Sequence, residues 1–206
     1  MNIKENKLTY KIGAKPVIER TLEAFQKSDD IDAIILVASD KEHFMPFAAR
    51  FSKVIGIVCG GESRAESVKC GLKKTGGFDI VAIHDGDRPF VSQKIISDTV
   101  AEAVKSGAAV PGIPVTDTIK LVSCGKIEKT VDRSTLCRVQ TPQVFWKDLI
   151  CNAYEGELTG VTDDASLVEK THKVSVVSGS EDNIKLTTKH DLDIAEIIAK
   201  KADGDN

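Results

Sequence analysis

The sequence contains no run approaching eighteen apolar residues and no basic-then-apolar opening of the kind that marks a secretory signal. A helical membrane anchor and signal-directed export are therefore not expected. The five cysteines, Cys59, Cys70, Cys124, Cys137 and Cys151, are odd in number, scattered, and form no C-x-x-C pair. That speaks against a disulfide framework and a structural zinc site, and makes a reducing cytoplasm the expected compartment. Positive charge is not in excess either: 28 Lys and Arg against 31 Asp and Glu leave a net charge of −3. No overall basic field argues for nucleic acid or an anionic membrane, although small anions could bind at local basic clusters. Internal repeats, low-complexity tracts and a domain linker are also missing, and only the tail KADGDN has the composition of a frayed end.

What remains is an ordinary globular composition, 41% apolar and 29% charged over 206 residues, which suits one domain spanning the whole chain, 1–206. The segment KPVIERTLEAF reads as a helix, with Val17, Ile18, Leu22 and Phe25 on one stripe and Pro16 in a tolerated first-turn position. The fifteen residues ahead of it contain no buried strand pattern. From residue 32 the chain alternates. IDAIILVAS and KVIGIVC read as buried strands on either side of a short helix, KEHFMPFAARF. Ser63 and Glu66 form a capping box ahead of the stripe Ala65, Val68, Leu72. The strand DIVAIHD, a helix over 93–106 ended by Gly107, and the apolar run AAVPGIPV follow. DTIKLVSCGKIEKTVD alternates about a Ser-Cys-Gly-Lys turn and predicts an exposed hairpin arm over roughly 115–134. CRVQTPQVF is a further extended piece, helices are expected near 146–155 and 163–172, and KVSVVSG and DNIKL read as late strands. Thr188 and Asp191 open a closing helix.

Such alternation predicts an α/β fold, a doubly wound and mostly parallel sheet. In open sheets of this kind ligands bind beyond the carboxyl ends of the strands, and two segments qualify, CGGESRAES and HDGDRPF. In the first, Gly60 and Gly61 permit close backbone approach to a ligand at a helix N-terminus, or simply make a tight turn. In the second, Asp85 and Asp87 beside Arg88 could hold a Mg²⁺–phosphate group, or form a turn in which Arg88 neutralises Asp85. His84 is expected to pack at the strand end and Asp163 to cap a helix. Lys185 is notable because an ammonium within DNIKL needs an anionic partner. The hairpin either stands free or buries itself on a second subunit.

Taken together, the segments KPVIERTLEAF, GGESRAESV, HDGDRPFV, PVTDTIK, TVDRSTLCRVQTPQVF, TDDASLVE and EDNIKLTT resemble, in order and spacing, the 2-C-methyl-D-erythritol 4-phosphate cytidylyltransferase family. The resemblance implies a Rossmann-like nucleotidyltransferase fold with a hairpin dimerisation arm. It also implies transfer of CMP from CTP to methylerythritol phosphate in non-mevalonate isoprenoid synthesis, with Mg²⁺ or another divalent cation. By the same resemblance Lys7 and Lys185 are catalytic at the α-phosphate, and Gly61, Glu62, Ser67, Asp85 and Arg88 bind the nucleotide, with Asp85 near the metal. Thr118, Arg133 and Thr141 hold the substrate phosphate, Arg133 reaching across a homodimer. The sequence departs from the family pattern in H-D-G-D-R-P, where Gly86 and Asp87 stand for two alanines, and in its opening. Aligned through GAKPV, it lacks the family's first strand and glycine-rich loop, so the chain as written is expected to turn over CTP at least about 10³-fold more slowly than an extended one. The alternatives are ribitol-5-phosphate cytidylyltransferase and a catalytically impaired nucleotide-binding dimer.

Overall fold

The computed structural model describes residues 7–204. It opens on a single helical turn, Lys7–Thr9, and a two-residue-per-strand hairpin of β1 (Lys11–Ile12) and β2 (Lys15–Pro16). Helix α1 (Val17–Lys27) follows directly and buries Val17, Ile18, Leu22 and Phe25, the stripe its spacing predicts. Next come β3 (Ile34–Ala38), α2 (Lys41–Ala48), β4 (Val54–Cys59) and α3 (Arg64–Leu72). Pro46 sits inside α2, which Asp40 caps by accepting from the His43 N–H at 3.0 Å. Strands β3 and β4 pair in parallel.

The larger sheet is built from β5 (Ile80–Ile83), β6 (Ala108–Pro114), β9 (Cys137–Val139), β10 (Gln143–Trp146) and β11 (Ser175–Ser178), in the order β11-β6-β10-β5 with β9 also on β6. Helix α4 (Gln93–Ser106) links β5 to β6 and stops at Gly107, whose φ of 86° a side chain would resist. Strand β10 enters between β5 and β6 antiparallel to both, so those two run the same way, and β11 is parallel to β6. The sheet is thus mixed, with its principal strands parallel and β9 and β10 opposed. Pro111, which lacks an N–H, lies in β6 where its neighbour changes from β10 to β9; its carbonyl still accepts from the Gln140 N–H at 2.7 Å.

Between β6 and β9 stands the hairpin of β7 (Ile119–Ser123) and β8 (Lys126–Val131). Its two-residue turn has both central residues at positive φ, Cys124 at 49° and Gly125 at 74°, the twist that matches flanking strands. Helices α5 (Lys147–Ala153) and α6 (Ala165–Val168) pack on the same core as β5, β6 and β10, and α7 (Lys189–Gly204) closes the chain over Ile12 and Val17.

Two expectations need correction. The second of the middle helices spans only Ala165–Val168 rather than 163–172. DNIKL is not a strand, because its polar groups bond to loops instead of a ladder. The Leu186 N–H donates to the Asp87 carbonyl at 3.0 Å, and the Asn183 carbonyl accepts from Arg88 at 2.9 Å. Its apolar residues Ile184 and Leu186 still pack beside α7.

The β3–β4 pair and the five-stranded sheet together line a cleft of about 570 Å³, to which β3 contributes Ile34–Val37 and β5 contributes Ile80–Ile83. Among the described residues β3 pairs only with β4, and β5 only with β10. The carboxyl ends of these strands converge. The Gly60 N–H after β4 donates to the Ala38 carbonyl at 3.0 Å, and Arg64 reaches Asp85 just beyond β5.

Candidate active site

The loop between β4 and α3 is organised by side chains of the helix it precedes. Ser63 accepts from the Glu66 N–H at 3.1 Å, and the Glu66 carboxylate accepts from the N–H groups of Ser63 (3.1 Å) and Glu62 (2.7 Å). This is the capping box read from the sequence. Ser67 Oγ accepts from the Gly61 N–H at 3.1 Å. A Cβ on Gly61 would lie 2.4 Å from that of Glu66, so glycine is required by close approach within the turn. Gly61, Glu62 and Ser67 therefore come together as one rigid rim whose N–H groups are already engaged.

Helix α3 also sends Arg64 inward, and this residue was missed in the sequence. It donates through Nε to Asp85 Oδ1 at 3.0 Å and through Nη1 and Nη2 to Asp164 at 3.1 and 2.7 Å. Asp164 is fully buried and also accepts from the Tyr154 hydroxyl. Burial opposes the Arg64 charge, but the two carboxylates more than offset it and raise its pKa, while burial beside Asp164 raises that of Tyr154. The neighbouring Asp163 acts as the expected cap, accepting from the Ser166 N–H at 3.1 Å. A signal for Arg64 was available: it occupies the first turn of the helix that follows a strand end.

Asp85 is the centre of the site. Lys185 donates to its Oδ2 at 2.9 Å, and Arg88 lies 3.7 Å from the same oxygen. Burial alone would raise the Asp85 pKa, yet Arg64 and Lys185 together hold it down at about 2. For Arg88 burial wins over both aspartates and lowers the pKa, and its Nε, though 3.7 Å from Asp85, has no hydrogen-bond partner among the described residues. Lys7 pairs with Asp87 and donates to the Leu186 carbonyl at 3.2 Å. The lysine side chains are 35% and 38% exposed, whereas Asp87 and Asp85 are 7% and 12% exposed. The cations thus form the outer layer and the carboxylates the inner one, an arrangement that meets an incoming anion with ammonium groups.

His84 packs against Phe25 with ring centroids 4.7 Å apart, as expected for a strand-end residue. Its Nε2 is 3.1 Å from the Arg88 carbonyl and its Nδ1 is 3.0 Å from Thr141 Oγ1. The tautomer these partners require carries hydrogen on Nε2, so the Thr141 hydroxyl donates to Nδ1 and accepts from the Asp85 N–H at 3.1 Å. Enclosure of the ring lowers the His84 pKa to about 4 despite opposing help from the Arg88 carbonyl and Asp85. Between pH 6.5 and 4 the unfolded chain therefore binds a proton that the folded chain refuses. Stability conferred by neutral His84 is full above pH 6.5 and is lost as the pH falls to 4, by at most roughly 3 kcal/mol. Urea unfolding across this window should show that loss in the wild type and a flatter profile in His84→Gln; parallel profiles would refute the assignment.

Thr141 was expected at the substrate phosphate. It is 4% exposed and its hydroxyl is engaged by His84 and Asp85, so in this structure it orients the strand-end loop. Thr118 and Arg133 are exposed at the base of the hairpin, where Arg133 donates to the Thr116 carbonyl.

The family pattern for IspD, described as 2-C-methyl-D-erythritol 4-phosphate cytidylyltransferase, matches residues 1–201. The chain belongs to this family. IspD relatives of the same description include proteins of Geobacillus kaustophilus, 44% identical over 96% of this chain and 90% of theirs, and Clostridium acetobutylicum, 43% identical over 98% and 92%. Among solved structures, the 4-diphosphocytidyl-2C-methyl-D-erythritol synthase of Anaerococcus prevotii is 32% identical over 92% of this chain and 88% of its own, with a TM-score of 0.86. The Thermus thermophilus IspD enzyme is 29% identical over 94% of each chain, with a TM-score of 0.78. Against that background, Lys7, Lys185, Asp85 and Arg88 form one contiguous cluster here, and Arg64 and Asp164 extend it inward.

Proposed function

We propose that this chain transfers CMP from CTP to 2-C-methyl-D-erythritol 4-phosphate, releasing pyrophosphate. The observation that carries the reading is the pair of lysines, Lys7 and Lys185, held on Asp87 and Asp85 of one loop at the strand ends. A phosphate oxygen of the sugar attacks the α-phosphorus of CTP while the bond to the β-phosphate oxygen breaks, and negative charge accumulates on the α-phosphoryl oxygens and the leaving pyrophosphate. Two ammonium groups fixed before the reaction stabilise that charge without reorganisation, so no covalent intermediate is needed.

Among the described residues no group of three or more potential metal ligands exists. A Mg²⁺ ion nevertheless fits, because this ion is commonly held by one or two carboxylates together with substrate phosphates. Asp85 is the carboxylate that would hold it, and the ion would neutralise triphosphate charge. Gly61, Glu62 and Ser67 form the rim suited to cytosine and ribose, and Thr118 and Arg133 are the candidates for the sugar phosphate. The hairpin exposes Leu121, Val122 and Ile127 at 45%, 56% and 65%, an apolar edge that supports a homodimer in which Arg133 serves the partner's site. The cysteines found free support a cytoplasmic setting.

The test is a comparison of acceptors. With CTP and Mg²⁺, methylerythritol phosphate should be used at least about tenfold better than ribitol 5-phosphate in kcat/KM, a difference of about 1.4 kcal/mol. Equal or reversed preference would overturn the assignment to methylerythritol phosphate. For the dimer, mixing Arg133→Ala with Lys185→Ala should restore part of the activity through hybrid sites; failure despite proven subunit exchange would place Arg133 elsewhere.

A further inference from the structure

Asp87 carries a role that the reading above does not give it. Its residue is 5% exposed, one carboxylate oxygen accepts from the Lys7 ammonium, and the other, Oδ1, is buried with no hydrogen-bond partner among the described residues. A carboxylate buried with half its accepting capacity unused is costly, and a native structure keeps such a group for a reason beyond packing. The surrounding bonds supply one. The Asp87 carbonyl accepts from the Leu186 N–H at 3.0 Å, and the Leu186 carbonyl accepts from Lys7 at 3.2 Å. Asp87, Leu186 and Lys7 thus close a ring that ties the Lys7–Thr9 turn, the loop after β5 and the segment before α7 at one ammonium.

The ring has a counterpart close by in both segments. Lys185 precedes Leu186 and donates to Asp85, two residues before Asp87. One short loop therefore fixes both lysines through two aspartates, and the Asp87–Leu186 backbone bond keeps the two pairs in register. An ammonium has three hydrogens. Asp87 and Leu186 take two from Lys7, leaving the third for a ligand.

From this geometry we infer that Asp87 is a positioning residue: it fixes the Lys7 ammonium relative to Lys185, so that both act on the same phosphoryl group. The inference rests on the proposed nucleotidyl transfer. A positioned stabiliser acts mainly on kcat, so Asp87→Ala should lower kcat by at least about tenfold with the KM for CTP changed by less than about threefold. Asp87→Asn, which keeps an accepting oxygen of the same shape, should retain more activity than the alanine variant. It also serves where the alanine variant fails to fold.

The deciding measurement is a double-mutant cycle. Adding Asp87→Ala to Lys7→Ala should cost less than about twofold beyond Lys7→Ala alone, because the group that Asp87 positions is already gone. Independent, multiplicative losses would overturn the inference while leaving the proposed reaction standing. Absence of turnover in the wild type would instead sink the reaction, and a second readout then still judges Asp87. Reductive methylation of Lys7, followed by mass spectrometry, should run at least about threefold faster in Asp87→Ala than in the wild type, with Asp87→Asn between them, as expected when the amine loses the charged acceptor that engages it. Equal labelling rates would overturn the inference whatever the activity.

Discussion

Replacing Lys185 with alanine should lower kcat by about 10²–10³-fold, or about 2.7–4 kcal/mol, the loss typical of removing one preorganised charge stabiliser. Lys185 is 38% exposed and bonded to Asp85 at 2.9 Å, so its ammonium is held in place yet reachable by a phosphate. Structural damage should be small, since Asp85 keeps Arg64 at 3.0 Å and Arg88 nearby. The split between constants is the informative part. If the ammonium acts on charge that develops during transfer, kcat falls and the KM for CTP changes little; a rise in KM alone would make Lys185 a ground-state anchor. Steady-state pyrophosphate release at saturating Mg²⁺ checks this. A change in kcat below about fivefold would remove Lys185 from the chemistry and with it the central argument for the site.

The features legible in the sequence are those whose cause is local. The Ser63–Glu66 box, the stop at Gly107, the Cys124–Gly125 turn and the stripe of α1 each depend on residues within a few positions of one another, and each is present. What escaped depends on distant partners. DNIKL has the composition of a strand, but Asn183 is fully buried and donates to the Thr141 carbonyl at 3.0 Å, which draws the backbone away from a ladder. Strand β10 carries no mark of its direction, and it lies antiparallel because the chain returns from the hairpin base through β9.

The same distinction holds in the site. Lys7, Asp85, Arg88 and Lys185 stand in motifs, and the fold unites them. Arg64 and Asp164 are 100 residues apart, and nothing near either one announces the other. Asp163 was expected as the helix cap, which it is, while its neighbour Asp164 was assigned no role. Asp87 was visible as an added charge, but its partner became clear only when the Lys7–Thr9 turn was placed against the loop after β5.

Asp164→Ala should be the most destabilising single change in the site, by about 3–5 kcal/mol, the cost of breaking a buried ion pair from one side. The carboxylate is fully buried, holds Arg64 through two bonds of 2.7 and 3.1 Å, and accepts from Tyr154, which is itself 1% exposed. Alanine leaves the Tyr154 hydroxyl without its acceptor inside the core formed by Phe145, Ile150 and Val168, and leaves Arg64 with Asp85 alone. Set against a typical stability of about 5–15 kcal/mol, this loss is large enough to lower expression as well as the urea midpoint. Asp164→Asn separates the contributions, because the amide oxygen can still accept from Tyr154 while the charge is gone; it should cost less than the alanine variant but still weaken Arg64. Arg64 keeps its bond to Asp85 in both variants and no longer shares its charge with a second carboxylate, so the Asp85 pKa should stay low. Equilibrium urea unfolding at pH 7 reads the loss in each variant. A loss under about 1 kcal/mol would show that Arg64 and Tyr154 find other partners when Asp164 is removed.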